Sequence, residues 1–192
     1  MTRTRRSSNQ FTVEDRIAIS ILAGGRSVRM GRDKTRLRLG GRSLLGHVRA
    51  AAEVTGWPVR VIRRDAVPQC GPLGGIYTAL QSSRSGVELF LACDMPFVSP
   101  ALLTELADRL GPKRDAVFTT ANGRVGFPFL LRTAVLPVVE KQIQNQQFSL
   151  QTLAKVLGAV LFRVPKGRTP ELRNINTPAE WQTARGSCET SP

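Results

Sequence analysis

The run Ile17-Ala18-Ile19-Ser20-Ile21-Leu22 is a short apolar stretch that opens onto Ala23-Gly24-Gly25. Such a run, ended by glycines, reads as a buried strand entering a tight loop. The same pattern returns at Val87 to Cys93, which stops at Asp94. Between these two, Ser43 to Thr55 places Leu44, Leu45, Val48, Ala51 and Ala52 at helical spacing and is closed by Gly56. Val59 to Ile62 is a short strand, and Gly71-Pro72-Leu73-Gly74-Gly75 is a second glycine-rich turn that leads into a helix through Gln81.

Beyond Asp94, Ser99-Pro100 supplies an N-cap and an N1 proline for a helix to Leu110. Ala116 to Thr120, Phe127 to Leu131 and Ala159 to Val164 are further strands. Helices are expected over Thr133 to Gln144, with Pro137 in the first turn or at a kink, and over Ser149 to Leu157. Thr177-Pro178 opens a last short helix. Strands separated by helices imply an α/β fold with three layers, α/β/α, around a mostly parallel sheet. Ligands of such sheets bind beyond the carboxyl ends of the strands. Both glycine-rich turns and Asp94 fall there.

The chain has 192 residues, with 28 basic and 14 acidic side chains for a net charge of +14. Its 41% hydrophobic content excludes a disordered chain. One domain is expected over 17–185, between a basic, disordered tail at 1–16 and a loose C-terminal tail at 186–192. No apolar run approaches the roughly 20 residues of a membrane span, and Met1 to Gln10 has no apolar signal core. Cys70, Cys93 and Cys188 are odd in number and far apart, so neither a disulfide framework nor a zinc site is expected, and a cytoplasmic setting fits.

A pI near 11.4 is the usual footprint of a nucleic-acid binder. The distribution argues otherwise. Residues 1–64 hold 15 basic and 4 acidic side chains, a net of +11, whereas 65–192 hold 13 and 10, a net of +3. Arg26, Arg29, Arg32, Lys34, Arg36, Arg38 and Arg42 crowd the first glycine loop. With aromatic residues at only 6% and no nucleic-acid motif, this is a local anion site; no specific nucleic-acid or membrane partner is expected.

A glycine pair after a strand lets backbone N–H groups approach an anion, and Arg29 and Lys34 add charge-assisted hydrogen bonds. The spacing is neither GxxxxGK[ST] nor GxGxxG, and a glycine turn with solvated arginines fits equally. Asp94 at the mouth of a buried strand suits a turn aspartate or, beside an anion loop, a Mg²⁺ carboxylate. His47 has no His or Cys at ligand spacing, Cys93 has no base in its sequence neighbourhood and reads as a buried small hydrophobe, and Trp57 and Trp181 are expected to pack.

Together, Leu-Ala-Gly-Gly-x-Ser-x-Arg-Met-Gly-x-Asp-Lys (Leu22 to Lys34), Gly71-Pro72-Leu73-Gly74-Gly75-Ile76, Cys93-Asp94-Met95-Pro96 and Asn174-Ile175-Asn176-Thr177-Pro178 resemble the molybdenum-cofactor guanylyltransferases. The resemblance runs from about Ile17 to Trp181 and implies a Rossmann-like nucleotidyltransferase fold. It implies transfer of GMP from GTP to the phosphate of molybdopterin, with pyrophosphate leaving and Mg²⁺ as cofactor. Related nucleotidyltransferases use CTP or other acceptors such as sugar phosphates, and a non-catalytic GTP-binding module would share these motifs.

By the resemblance, Arg29, Lys34 and Asp94 are catalytic and Asp94 holds the metal. Leu22, Ala23, Gly24, Gly25, Lys34, Asp65, Gly71, Gly74 and Asp94 bind the nucleotide, and Asn174 and Asn176 bind the acceptor. Relatives that use CTP tend to carry Ala where this chain has Gly24, which favours GTP. A monomer or weak oligomer is expected. Two departures stand out. Only Trp57 to Arg64 lies between the first helix and Asp65, where relatives have a further strand and a nucleotide-contacting asparagine, and Gly126-Phe127-Pro128 replaces their usual His-Pro.

Overall fold

The computed structural model describes residues 16–24 and 37–189. β1 (Ile17–Leu22) lies inside a six-stranded sheet. Its neighbours are β4 (Val59–Ile62) and β5 (Val87–Ala92), both parallel to it. β7 (Arg124–Arg132) runs antiparallel to both β5 and β6 (Ala116–Ala121), and β8 (Val160–Arg163) closes the far edge parallel to β6. The order is β4-β1-β5-β7-β6-β8, so β7 alone reverses direction.

Period-two alternation divides each strand between two cores. Ile19 and Ile21 of β1 and Leu89 and Leu91 of β5 face α1 (Leu44–Glu53) and α3 (Pro100–Ala107), where Val48, Leu102 and Leu106 are fully buried. The other face packs on α2 (Pro72–Ser82), α4 (Leu136–Gln144) and α5 (Leu150–Val156). There Phe90, Phe129 and Phe118 of adjacent strands stack with centroids 5.0 and 4.5 Å apart. This is the three-layer arrangement expected. Pro137 sits in the first turn of α4, after a 3₁₀ turn at Thr133–Val135.

Several details depart from the sequence reading. Two glycines of the second glycine-rich turn are helical: Gly74 and Gly75 lie in the first turns of α2, which Gly71 precedes as the N-cap. β2 (Arg38–Leu39) and β3 (Arg42–Ser43) form a hairpin too short to leave a periodic signal. β7 begins at Arg124, and a register shift opposite Phe118 and Thr119 lets it pass the Phe127-Pro128 pair. The last helix, α6 (Pro178–Glu189), is twelve residues long rather than short, and it runs past Arg185. It packs on the hairpin through a third core of Leu39, Leu44, Ile175 and Ala184, with Trp181 against it. Among the described residues, no helix is long and apolar enough to cross a membrane.

Among the described residues, one charged side chain is enclosed with these apolar layers. Glu88 of β5 is fully buried. Its Oε1 accepts from Arg60 Nη2 (2.8 Å) and Ser83 Oγ (2.6 Å), and its Oε2 accepts from Ser20 Oγ (2.7 Å). Arg60 on β4 also donates Nε to Ser20 Oγ at 3.0 Å. The carboxylate thus ties β4, β1 and β5 together. Arg60 keeps about a third of its side chain in solvent, so the cost of removing Glu88 falls on the buried Ser20 hydroxyl and on the space left behind, and Glu88→Ala is expected to lower the unfolding free energy by about 1–3 kcal/mol. Urea denaturation measures this, and Glu88→Gln, which keeps an acceptor, should lose less.

Candidate active site

Parallel pairing brings three strand ends level, because Leu22 lies between Ile62 and Ala92. Beyond that level the backbone continues to knit: Ala23 N donates to Ile62 O (2.8 Å) and Cys93 N to Leu22 O (3.1 Å). Leu22, Ala23 and Gly24 therefore leave the sheet between the chain that leads to Asp65 and the chain that leads to Asp94. Gly25, Arg29 and Lys34 lie outside the described residues.

Asp65 rests against three glycines. A Cβ on Gly24 would lie 3.0 Å from Asp65 Oδ1 and 3.3 Å from the Arg63 carbonyl oxygen. A Cβ on Gly75 would come within 3.3 Å of Asp65 Oδ1, and one on Gly74 within 3.0 Å of Oδ2. The Gly74 position is also 2.5 Å from the Val67 carbonyl oxygen, a distance no side chain tolerates. The glycines of the Gly71 to Gly75 motif thus serve close approach: the Asp65 to Val67 segment lies directly on the start of α2. Gly71 has φ +55°, a conformation suited to glycine, and Pro72 follows at the start of the helix.

Thr78, which the sequence reading did not single out, fastens this contact. Its Oγ1 donates to Gly74 O (2.7 Å) and accepts from Ala66 N (2.8 Å). The spacing of one helical turn from Gly74 was the available signal. Burial raises the Asp65 carboxyl above its ordinary value. The start of α2 offers a partial positive charge that favours an anion beside it, and among the described residues no side chain or amide donates a hydrogen bond to the carboxylate.

Asp94 follows β5 by two residues, in the turn that leads to α3. Its carbonyl oxygen accepts from Ile175 N at 2.9 Å. That bond joins the third and fourth motifs, which are about eighty residues apart in the chain. Ile175 is fully buried, which holds Asn174 and Asn176 on either side of it next to the Asp94 turn. A capping box continues the segment: Glu180 Oε2 accepts from Asn176 N (2.6 Å) and Thr177 N (2.9 Å), and Thr177 Oγ1 accepts from Glu180 N (3.2 Å).

Leu22 to Gly24, Asp65, Gly71, Gly74, Asp94, Asn174 and Asn176 thus lie toward the carboxyl ends of β4, β1 and β5. Among the described residues, no three His, Cys, Asp or Glu side chains gather to cage an ion. Such a donor set suits a divalent cation held by one carboxylate and completed by phosphates and water. His47 Nε2 lies 2.8 Å from Leu39 O, and Trp181 Nε1 donates to Arg38 O, so both pack the hairpin.

Two outcomes follow from the glycine contacts. A mid-helix Gly→Ala change ordinarily stabilises by about 1 kcal/mol, but Gly74→Ala is expected to lower the melting temperature, because its Cβ meets backbone. Asp65→Asn should raise it at neutral pH. A carboxyl whose folded-state pKa lies above its unfolded value costs stability while ionised, and that cost is relieved as pH falls through the folded value. The advantage of Asp65→Asn should accordingly shrink in acid, which a series of thermal melts from neutral to acidic pH reads directly.

Comparison with known proteins places the fold and the sequence in a family. Residues 19–160 match the model of the MobA-like NTP transferase domain. The chain is 30% identical to the molybdenum cofactor guanylyltransferase of Xanthomonas euvesicatoria, over 84% of this chain and 90% of that one. It is 29% identical to the enzyme of the same name from Pseudomonas syringae, over 84% and 89%. Among solved structures, the molybdopterin-guanine dinucleotide biosynthesis protein A of Archaeoglobus fulgidus superposes with a TM-score of 0.70 at 22% identity, covering 91% of this chain and all of that one. The shorter route to Asp65 therefore leaves a fold that spans the whole of a solved relative, and the chain belongs to the MobA-like NTP transferase family.

Proposed function

We propose that this protein transfers GMP from GTP to the terminal phosphate of molybdopterin. A phosphate oxygen of the acceptor attacks the α-phosphorus, a new P–O bond forms, the bond to the bridging oxygen breaks, and pyrophosphate departs. Such a reaction needs positioning and charge neutralisation rather than a covalent nucleophile. The observation that supports the reading is the backbone bond from Ile175 N to Asp94 O, which brings the Asp94 turn against the segment that carries Asn174 and Asn176.

In this reading Leu22, Ala23 and Gly24 border the nucleoside, Asp65 and the first turn of α2 at Gly71 and Gly74 form the side of its pocket, and Arg29 and Lys34 bind the triphosphate. Asp94 holds Mg²⁺, which when bound offsets the charge that develops on the phosphates. Asn174 and Asn176 hold the acceptor. Gly24 leaves Asp65 undisturbed, and Asp65 in turn offers a carboxylate to the N–H donors of guanine.

The test is pyrophosphate release from GTP with molybdopterin and Mg²⁺. Product should form with GTP in preference to CTP and ATP. Asp94→Asn should reduce turnover at least about a hundredfold, because preorganised charge supplies most of such a barrier reduction. Turnover that survives Asp94→Asn, or tighter binding of CTP than GTP, would overturn the assignment.

A further inference from the structure

The segment that carries Asn174 and Asn176 reaches the site from a 3₁₀ helix, Lys166–Leu172, in which no residue is buried. Its apolar anchor is Leu172 alone, half-buried against the core that lies under α1 and α3, and polar contacts carry the placement on toward the site. Three contacts run along it in antiparallel order against the turn that follows Asp94. Ile175 N bonds to Asp94 O at 2.9 Å. The Arg173 guanidinium lies over the Phe97 ring, 4.7 Å from its centroid. Ser99 Oγ donates to Glu171 Oε2. The two segments are thus matched at 94 with 175, 97 with 173, and 99 with 171.

Arg168 locks the outer end of this ladder. Its Nε donates to Glu171 Oε1 (2.6 Å) and its Nη1 to Glu105 Oε2 (2.8 Å), so one guanidinium spans the 3₁₀ helix and α3. Glu105 is held in turn by Arg109 Nη2 (2.9 Å), whose guanidinium covers Phe162 of β8 at 4.1 Å. Ser99 is also the N-cap of α3, accepting from Leu102 N at 3.1 Å. The Arg109 bond, with Arg168, holds the Glu105 carboxyl below its ordinary value. Burial pulls Glu171 upward, but the bonds from Arg168 and Ser99 outweigh it and keep that carboxyl low. Both carboxylates therefore remain ionised at neutral pH.

Arg168 and Glu105 are about one-third exposed. Ion pairs at such exposure add little to global stability, while a guanidinium fork shared by two carboxylates fixes geometry well.

We propose that Arg168 and Glu171 are positioning residues for the acceptor: they hold the Arg173 to Asn176 segment in register with the Asp94 turn, and so set the distance between the acceptor's phosphate and the nucleotide. This rests on the transfer reaction proposed above. The ladder is the means, since displacing its outer rung at Glu171 frees the segment that ends at Ile175.

The test compares the full-length wild type with Arg168→Ala and the conservative Arg168→Lys. Two readouts are used: amide hydrogen exchange, and steady-state kinetics with GTP and molybdopterin varied separately. In Arg168→Ala, the Ile175 and Asn176 amides should exchange about tenfold faster while β1 and β5 stay protected, and kcat/KM for the acceptor should fall about tenfold with KM for GTP within about twofold. Arg168→Lys, which keeps the charge but cannot reach both carboxylates with one planar fork, should restore only part of both. Unchanged exchange at Ile175 would overturn the coupling. So would a fall in kcat with both KM values unchanged, the mark of a merely smaller folded fraction. If the wild type forms no product yet Ile175 is deprotected in Arg168→Ala, the register coupling stands and the transfer assignment falls.

Discussion

Glu88 is a carboxylate enclosed within the sheet, where water cannot solvate it. An ion there persists only if every oxygen finds a donor. The donors come from β4 (Arg60), β1 (Ser20) and the turn after α2 (Ser83). A slip of one residue in either pairing would turn Ser20 or Arg60 to the opposite face and leave the charge stranded. Apolar packing of Ile19, Ile21, Leu89 and Leu91 favours the same register. The enclosed ion pair makes that register exacting, and the level ends of Ile62, Leu22 and Ala92 follow from it. Asp65 and Asp94 extend from those ends, so the separation of the two carboxylates is set deep in the sheet.

Sequence reading recovered what depended on local pattern. β1 and β5 are apolar runs stopped by glycine or aspartate, and Ser99-Pro100 signals a helix start without tertiary help. It failed where tertiary contact overrides propensity. Gly74 and Gly75 disfavour a helix by conformational entropy, yet they lie in one because the chain at Asp65 and Val67 needs the room. β7 was only partly visible, since Gly126 and Pro128 interrupt its alternation and the register shift allows for them.

The candidate site was legible in the same uneven way. Motif resemblance named Asp65, Asp94, Asn174 and Asn176, and no spacing rule anticipates the Asp94 to Ile175 bond that brings Asp94 against the segment carrying the two asparagines. Arg168 and Glu171 left no mark, because their partners are assembled only by folding. The excess charge also divides on folding. Arg60 is consumed inside the sheet and Arg109 and Arg168 by carboxylates, whereas Arg63 and Arg64 stay exposed just ahead of Asp65.

The glycine cradle around Asp65 also limits how this surface can diverge. At position 74 the obstacle is a backbone carbonyl, which cannot move without displacing the loop that carries Asp65. At position 24 the nearest obstacle is the Asp65 side chain itself, at a distance where a small shift would admit a methyl group. Substitution is therefore blocked at one glycine and negotiable at the other. Any drift in what the pocket accepts is channelled through positions 24 and 65 as a pair, and a change at either one rewrites the conditions for the other.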